Sequence, residues 1–125
     1  MPKLFLLTAV LSGAIAVCMG AFAAHGLKAR LSVELLSAFR TAVDYQFYHT
    51  LALLAVALLI KQIGISAPLL AAGFLLIAGI LLFSGSLYAM ALGGPKWLGP
   101  ITPMGGLCFV AAWLCVAWAT TNSNF

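Results

Sequence analysis

The side chains with the widest chemical range stand close together in the run Arg40-Thr41-Ala42-Val43-Asp44-Tyr45-Gln46-Phe47-Tyr48-His49-Thr50. At about 100° per helical residue, Arg40, Asp44, Tyr48, Thr41, Tyr45 and His49 fall in that order around roughly half of a helix circumference and make one polar face. Arg40 and Asp44, four apart, are spaced to pair, and Asp44 can also reach the hydroxyl of Tyr48 one turn further on. A carboxylate, an imidazole and phenols on one face could relay a proton or hold a small polar ligand. Ser84, Ser86 and Tyr88 form a second polar group, and His25 stands apart from both. If these groups meet Asp44 and His49, they complete a small polar cavity. The competing reading makes Arg40 and Asp44 a clasp, the histidines packing or capping groups, and the serines glue between helices.

Other chemistries lack their residues. The sequence contains no nucleophile elbow, phosphate loop, zinc signature or dinucleotide fingerprint, so no enzyme and no cofactor is expected. Two histidines and one aspartate spread over two segments lack the spacing of a metal site. Cys18, Cys108 and Cys115 are an odd number, all within apolar stretches. They read as small buried hydrophobes, not as a disulfide framework.

The elements that must position these residues are membrane helices. Of 125 residues, 65% are hydrophobic and 6% charged, whereas a soluble domain needs roughly 25% charged residues to cover its surface. A bilayer-crossing helix takes about 20 mostly apolar residues, and four such windows lie at 4–24, 42–61, 68–92 and 101–121. They leave no room for a soluble domain, so residues 1–125 make a single integral membrane domain. The formal net charge is +4, but its cations flank the windows instead of forming a patch, which argues against nucleic acid, and no soluble partner is expected. The first window ends in Ala21-Phe22-Ala23, which is similar to a signal-peptidase site, yet it is too long for a signal core and is expected to remain uncleaved.

Between the first two windows the pattern changes. Leu27, Leu31, Leu35 and Phe39 recur every four residues while Lys28, Arg30, Glu34 and Arg40 take other positions, predicting a short amphipathic helix over 27–40. Ser32 followed by Glu34 offers an N-cap with an acid in the first turn, so the helix proper starts near Val33 and either lies along the interface or runs on into the second span. Small residues at four-residue spacing, Ala9/Gly13 and Ala16/Gly20/Ala24, suit close helix approach and predict an interior first helix. Gly64 breaks the second span, Pro68 suits the first turn of the third, and Gly93-Gly94-Pro95 ends it before Pro100 and Pro103.

Short connections force neighbouring helices to run antiparallel, which gathers most of the polar chemistry at one end of the bundle. That end carries Lys28, Arg30, Arg40 and Lys96, against Lys3 and Lys61 at the other. The positive-inside rule places it in the cytoplasm and both termini outside. Lys28 and Arg30 could meet anionic headgroups, and Lys96 with Trp97 is an interfacial anchor. Counting back about 20 residues from Lys61 puts Asp44 near the headgroup boundary and His49 about 7 or 8 Å deeper.

The runs Gly20-Ala21-Phe22-Ala23-Ala24-His25-Gly26-Leu27 and Phe39-Arg40 through Leu53-Leu54, with Ser84-Gly85-Ser86-Leu87-Tyr88 and Pro100-Ile101-Thr102-Pro103-Met104-Gly105-Gly106, resemble the signature of the YgdD/YwdK-like small membrane proteins. The resemblance covers essentially the whole chain. It implies a bacterial inner-membrane protein with four helices and no established biochemical function. It also implies that relatives often carry a glutamine at the position of Asp44, which argues against a compulsory carboxylate mechanism and favours His25, Tyr45, Tyr48 and His49.

The sequence therefore predicts an all-α, four-helix transmembrane bundle in the lipid bilayer with a short amphipathic helix between helices 1 and 2. Its role is structural or accessory, with homo-oligomerisation open. Two alternatives stand beside it: a small oligomeric channel or transporter for a proton, ion or small solute using His25, Asp44, Tyr48, His49 and Ser84, and a lipid-binding membrane protein. Against a transporter, no internal repeat of the kind that builds alternating access is visible.

Overall fold

The computed structural model describes residues 1–125, and every element in it is helical. Four helices are long and apolar enough to cross a membrane: α1 Pro2–His25, α2 Val33–Ile63, α3 Ala67–Ala91, and α4 Ile101–Thr121, the last preceded by a 3₁₀ turn Lys96–Leu98. They run up, down, up and down. The end that gathers His25, Val33, Ala91 and Ile101 is here the Arg40 end of the bundle, and the other is the Lys61 end.

Local chemistry sets the boundaries. Ser32 accepts a hydrogen bond from the Leu35 N–H at 3.2 Å, satisfying one of the donors that a helix start leaves without a partner. Glu34 lies in that first turn, where the helix dipole favours an acid. Gly64 ends α2 at φ +91, a conformation that side-chain-bearing residues avoid. Ser66 accepts from the Leu69 N–H at 3.4 Å and Pro68 sits in the first turn of α3.

The amphipathic segment is not a separate helix. Residues 26–32 form turns, and Val33–Arg40 are the first two turns of α2 itself, so the charged stretch and the second span are one helix of 31 residues. No glycine or proline interrupts 33–63, and once Ser32 has capped the helix nothing stops it before Gly64.

α2 and α3 form the centre. α1 packs along α2 through Ala9, Ala16 and Ala23, each about 1% exposed, with Gly13 against Thr50 and Gly20 against Val43. The small-residue stripe thus does the work expected of it, with Ala23 in place of Ala24. The expectation of an interior helix is corrected: the other faces of α1 carry exposed Leu7, Leu11 and Val17, because a helix packed chiefly on one neighbour leaves the rest to lipid. The cysteines are corrected in the same way, since Cys18 is exposed and Cys108 and Cys115 are only half-buried.

The main core joins Phe5, Leu53, Val56, Leu69, Leu76 and Phe109. α3 is interrupted by a π-turn, Ile80–Ser84, closed by the Gly85 N–H bonding to the Ile80 carbonyl. Directly opposite it, α4 brings Gly105 so close that an added Cβ would lie 2.3 Å from the Phe83 backbone nitrogen. Lipid tails are as apolar as leucine, so backbone approach of this kind is what holds membrane helices together. Gly105→Ala is therefore expected to destabilise the bundle by about 2 kcal/mol, since the obstacle is backbone and cannot swing aside. Gly85→Ala, with open space around the added methyl, is expected to leave the melting temperature in detergent unchanged or slightly raised.

Candidate functional site

The rotation of α2 divides its polar residues into two populations. Phe39, Ala42, Gln46, His49, Thr50, Leu53, Val56 and Ile60 are buried, while Arg40, Asp44, Tyr45 and Tyr48 are exposed. The single polar face expected from the sequence is thus split, and only His49 among its six members is buried.

The deepest group is centred on Gln46, 4% exposed. Its Nε2 donates to the Ser12 carbonyl and to Ser12 Oγ, both at 3.1 Å. Ser12 Oγ is in turn hydrogen-bonded to Thr50 Oγ1 at 2.7 Å. On the other side, the Tyr88 hydroxyl donates to Gln46 Oε1 at 2.6 Å. One amide therefore links α1, α2 and α3, with both donors and its acceptor engaged. A groove of about 260 Å³ between α1 and α3 runs over Ser12 and Gln46, walled by Leu11, Ile15, Ile77 and Leu81, so the neighbours on that side are apolar.

His49 forms the second buried group, at 6% exposure. Its Nδ1 lies 2.8 Å from the Tyr45 carbonyl, and Trp113 Nε1 donates to its Nε2 at 3.1 Å. An indole N–H can only donate and a carbonyl can only accept, so the two contacts together specify the neutral Nδ1–H tautomer. The imidazole lies flat on Phe109, with centroids 3.5 Å apart and planes 8° apart. Tyr45 continues the stack, 4.5 Å from the Phe83 ring.

The serines of α3 act as interhelical ties. Ser84, fully buried, donates to the Ala42 carbonyl at 2.7 Å. Ser86 donates to the Phe83 carbonyl at 3.0 Å and is bonded to the Thr102 hydroxyl of α4. Every buried side-chain nitrogen and oxygen in the bundle has a hydrogen-bond partner.

Several sequence expectations are corrected here. Arg40 and Asp44 form no salt bridge, and Asp44 makes no hydrogen bond to Tyr48: both charged groups point outward and line a groove of about 420 Å³ with Lys28, Ser37 and Thr41. Exposed charges at the headgroup level keep their solvation and gain little by pairing. His25 is exposed in the last turn of α1 and does not join His49. Ser84 and Ser86 turn toward α2 and α4 and meet neither Asp44 nor His49, so of the two readings the serines follow the one that makes them glue between helices. Lys28 lines the groove by Arg40, whereas Arg30, Lys96 and Trp97 are exposed elsewhere at the same end.

The sequence reading missed Gln46, Ser12, Thr50, Thr102 and Trp113 as polar partners. A signal for Gln46 was present: it falls in step with Phe39, Ala42, Leu53 and Ile60, the apolar stripe of α2, so a helix that buries that stripe must bury the amide too.

The family model described as "Protein of unknown function (DUF423)" matches residues 19–106, from late α1 into α4. The chain belongs to this family. It is 38% identical over 120 residues to the UPF0382 membrane protein YwdK of Bacillus subtilis, covering 96% of this chain and 98% of that one. A UPF0382 membrane protein of Haemophilus influenzae is 42% identical over 124 residues, covering 99% of this chain and 98% of the relative. Another from Staphylococcus aureus is 43% identical over 118 residues, covering 94% and 95%. No solved structure matches. The YwdK-like resemblance is thereby established, and with it a membrane protein of four apolar helices.

The buried polar groups are, in chemical terms, a saturated set of hydrogen bonds, most of them between helices. A double-mutant cycle between Gln46→Leu and Tyr88→Phe, read by chemical denaturation in detergent, is expected to return a coupling near 0.6 kcal/mol, rising toward 1.7 if the amide is fully shielded. A coupling of zero would remove the Gln46 bridge from the account of the bundle.

Proposed function

We propose that this chain is a structural or accessory protein of the bacterial inner (plasma) membrane, without catalytic activity, whose buried polar groups hold its own helices together instead of carrying a solute. The observation that supports this reading is the saturation of the buried set. Gln46 spends its amide on Ser12 and Tyr88, and His49 spends both ring nitrogens on Tyr45 and Trp113. The partners of the buried imidazole are a backbone carbonyl and an indole N–H, neither of which can pass a proton on, and the ring is stacked against Phe109 as well. Transport, in this reading, would have to run between copies of the chain.

The same reading places both termini outside the cell, because Lys28, Arg30, Arg40 and Lys96 mark the Arg40 end as cytoplasmic. In a cysteine-free background, Ser123→Cys is expected to react with a membrane-impermeant maleimide on intact spheroplasts and Lys96→Cys only after lysis. The reverse pattern overturns the orientation.

Proteoliposomes containing the wild-type chain are expected to leak protons and potassium no faster than protein-free vesicles. His49→Ala is expected to lower thermal stability by about 2 kcal/mol through the loss of a buried, stacked and doubly bonded ring. Flux above the protein-free level that His49→Ala abolishes would replace the accessory reading with a transport one.

A further inference from the structure

Two grooves open on the outer face of α2. One is the groove at the Arg40 end, about 420 Å³, lined by Lys28, Ser37, Arg40, Thr41 and Asp44. The other is a furrow of about 250 Å³ between α2 and α4, lined entirely by apolar side chains, including Tyr48, Leu51, Ala55, Leu59, Trp113 and Val116. They lie in line. At 100° per residue, Val33, Ser37, Arg40, Asp44, Tyr48, Leu51 and Ala55 fall within about 80° of one another, so one stripe of α2 runs from the charged groove into the furrow.

From Tyr48 to Ala55 the furrow runs about 10 Å down the leaflet on the Arg40 side, and its far end at Leu59 lies two residues from Lys61 at the opposite boundary. Arg40 lies about 12 Å above Tyr48, at the level of headgroups. Small residues make the furrow: Ala52, Ala55 and Ala112 leave space that Tyr48 and Trp113 flank.

We infer that this stripe is a binding site for one anionic phospholipid, its phosphate held by Lys28 and Arg40 and one acyl chain lying in the furrow below. Charge selects the occupant: two cations against the single carboxylate of Asp44 leave the groove net positive, and Ser37 adds a hydroxyl. Asp44 opposes the phosphate and weakens the site. The site does not depend on the accessory role argued above, because neither Lys28 nor Arg40 takes part in the bonds that tie the helices together, although Ala52, Val56 and Ala112 on the floor of the furrow are buried.

Native mass spectrometry of the full chain in detergent, titrated with phosphatidylglycerol and with phosphatidylcholine of the same acyl chains, tests the site. Phosphatidylglycerol is expected to bind more tightly than phosphatidylcholine. Lys28→Ala or Arg40→Ala should each weaken its binding about fivefold and the double variant about thirtyfold, since each cation near an anionic surface contributes independently. Asp44→Asn should tighten binding about fivefold, by the same scale. Ala55→Trp, which fills the furrow, should weaken both lipids, with helicity and melting of the lipid-free chain checked by circular dichroism. Equal binding of the two lipids, or indifference to Lys28 and Arg40, overturns the proposal. Displacement of phosphatidylglycerol by millimolar inorganic phosphate would assign the groove to a soluble anion, and a dimer lost on Ala55→Trp would assign the furrow to a second copy. Either result excludes the lipid.

Discussion

Inside a bilayer, apolar surface gains nothing by leaving lipid for protein, so helices must be located by close backbone contact and by hydrogen bonds that hydrocarbon cannot replace. In this bundle the side chain that meets that constraint most fully is Gln46. Its amide reaches α1 through Ser12 and α3 through Tyr88, which fixes how α2 is turned about its own axis. The rest follows from that rotation. His49, three residues on, faces α4 and meets Phe109 and Trp113, whereas Arg40, Asp44, Tyr48 and Leu51 are carried to the outer side. The inward and outward faces of α2 are therefore consequences of one another, and a change of register that freed His49 would also bury a charge.

The pairing of α3 with α4 rests on a second, backbone-level constraint. Gly79 faces Phe109 and Gly105 faces the Phe83 backbone, so each helix offers a glycine to a phenylalanine of the other. The π-turn at Ile80–Ser84 coincides with this crossing. One extra residue in a turn shifts the phase of everything after it, and the residues after it are those that tie α3 to its neighbours: Ser86 to Thr102 on α4 and Tyr88 to Gln46 on α2. A π-turn is often a mark of a ligand site. Here the bonds around it are complete, and its effect is to aim side chains at other helices.

What could be read from the sequence and what could not divides along physical lines. The spans, the Ser32 cap before Val33, the Gly64 stop and the Pro68 start were legible, because length, capping and backbone restriction are local properties. The rotation of the helices was legible only in part: small residues marked the packed face of α1, and Gln46 lay in step with the buried stripe of α2 without being singled out. In water an apolar stripe marks the core, but in a membrane both core and lipid faces are apolar, so the pattern of Leu, Ala and Val carries little directional information. Charged residues then drew attention to Arg40 and Asp44, although a full charge is the group least suited to burial and best kept at the headgroups. The uncharged Gln46, Ser12 and Thr50 are cheaper to bury when bonded, and those are the ones inside. His49, Ser84 and Ser86 belonged to both the expected and the observed set, as did the Tyr88 hydroxyl.

The length of α2 explains why its charged turns and its apolar span are one element. Thirty-one residues rise about 46 Å, roughly 16 Å more than the hydrocarbon core requires. The surplus must project into the headgroup layer. The loop at 26–32 and the first two turns of α2 occupy that zone, and they hold Lys28, Arg30, Glu34 and Arg40. An amphipathic pattern ending in an uninterrupted apolar helix is therefore the profile of a span leaving the membrane, with its cations where lipid phosphates lie. Because Gln46 and His49 hold the opposite side of the same helix inward, those cations and the furrow beneath them stay aligned along one outer stripe, and the bonds that hold the bundle also maintain the surface it presents to lipid.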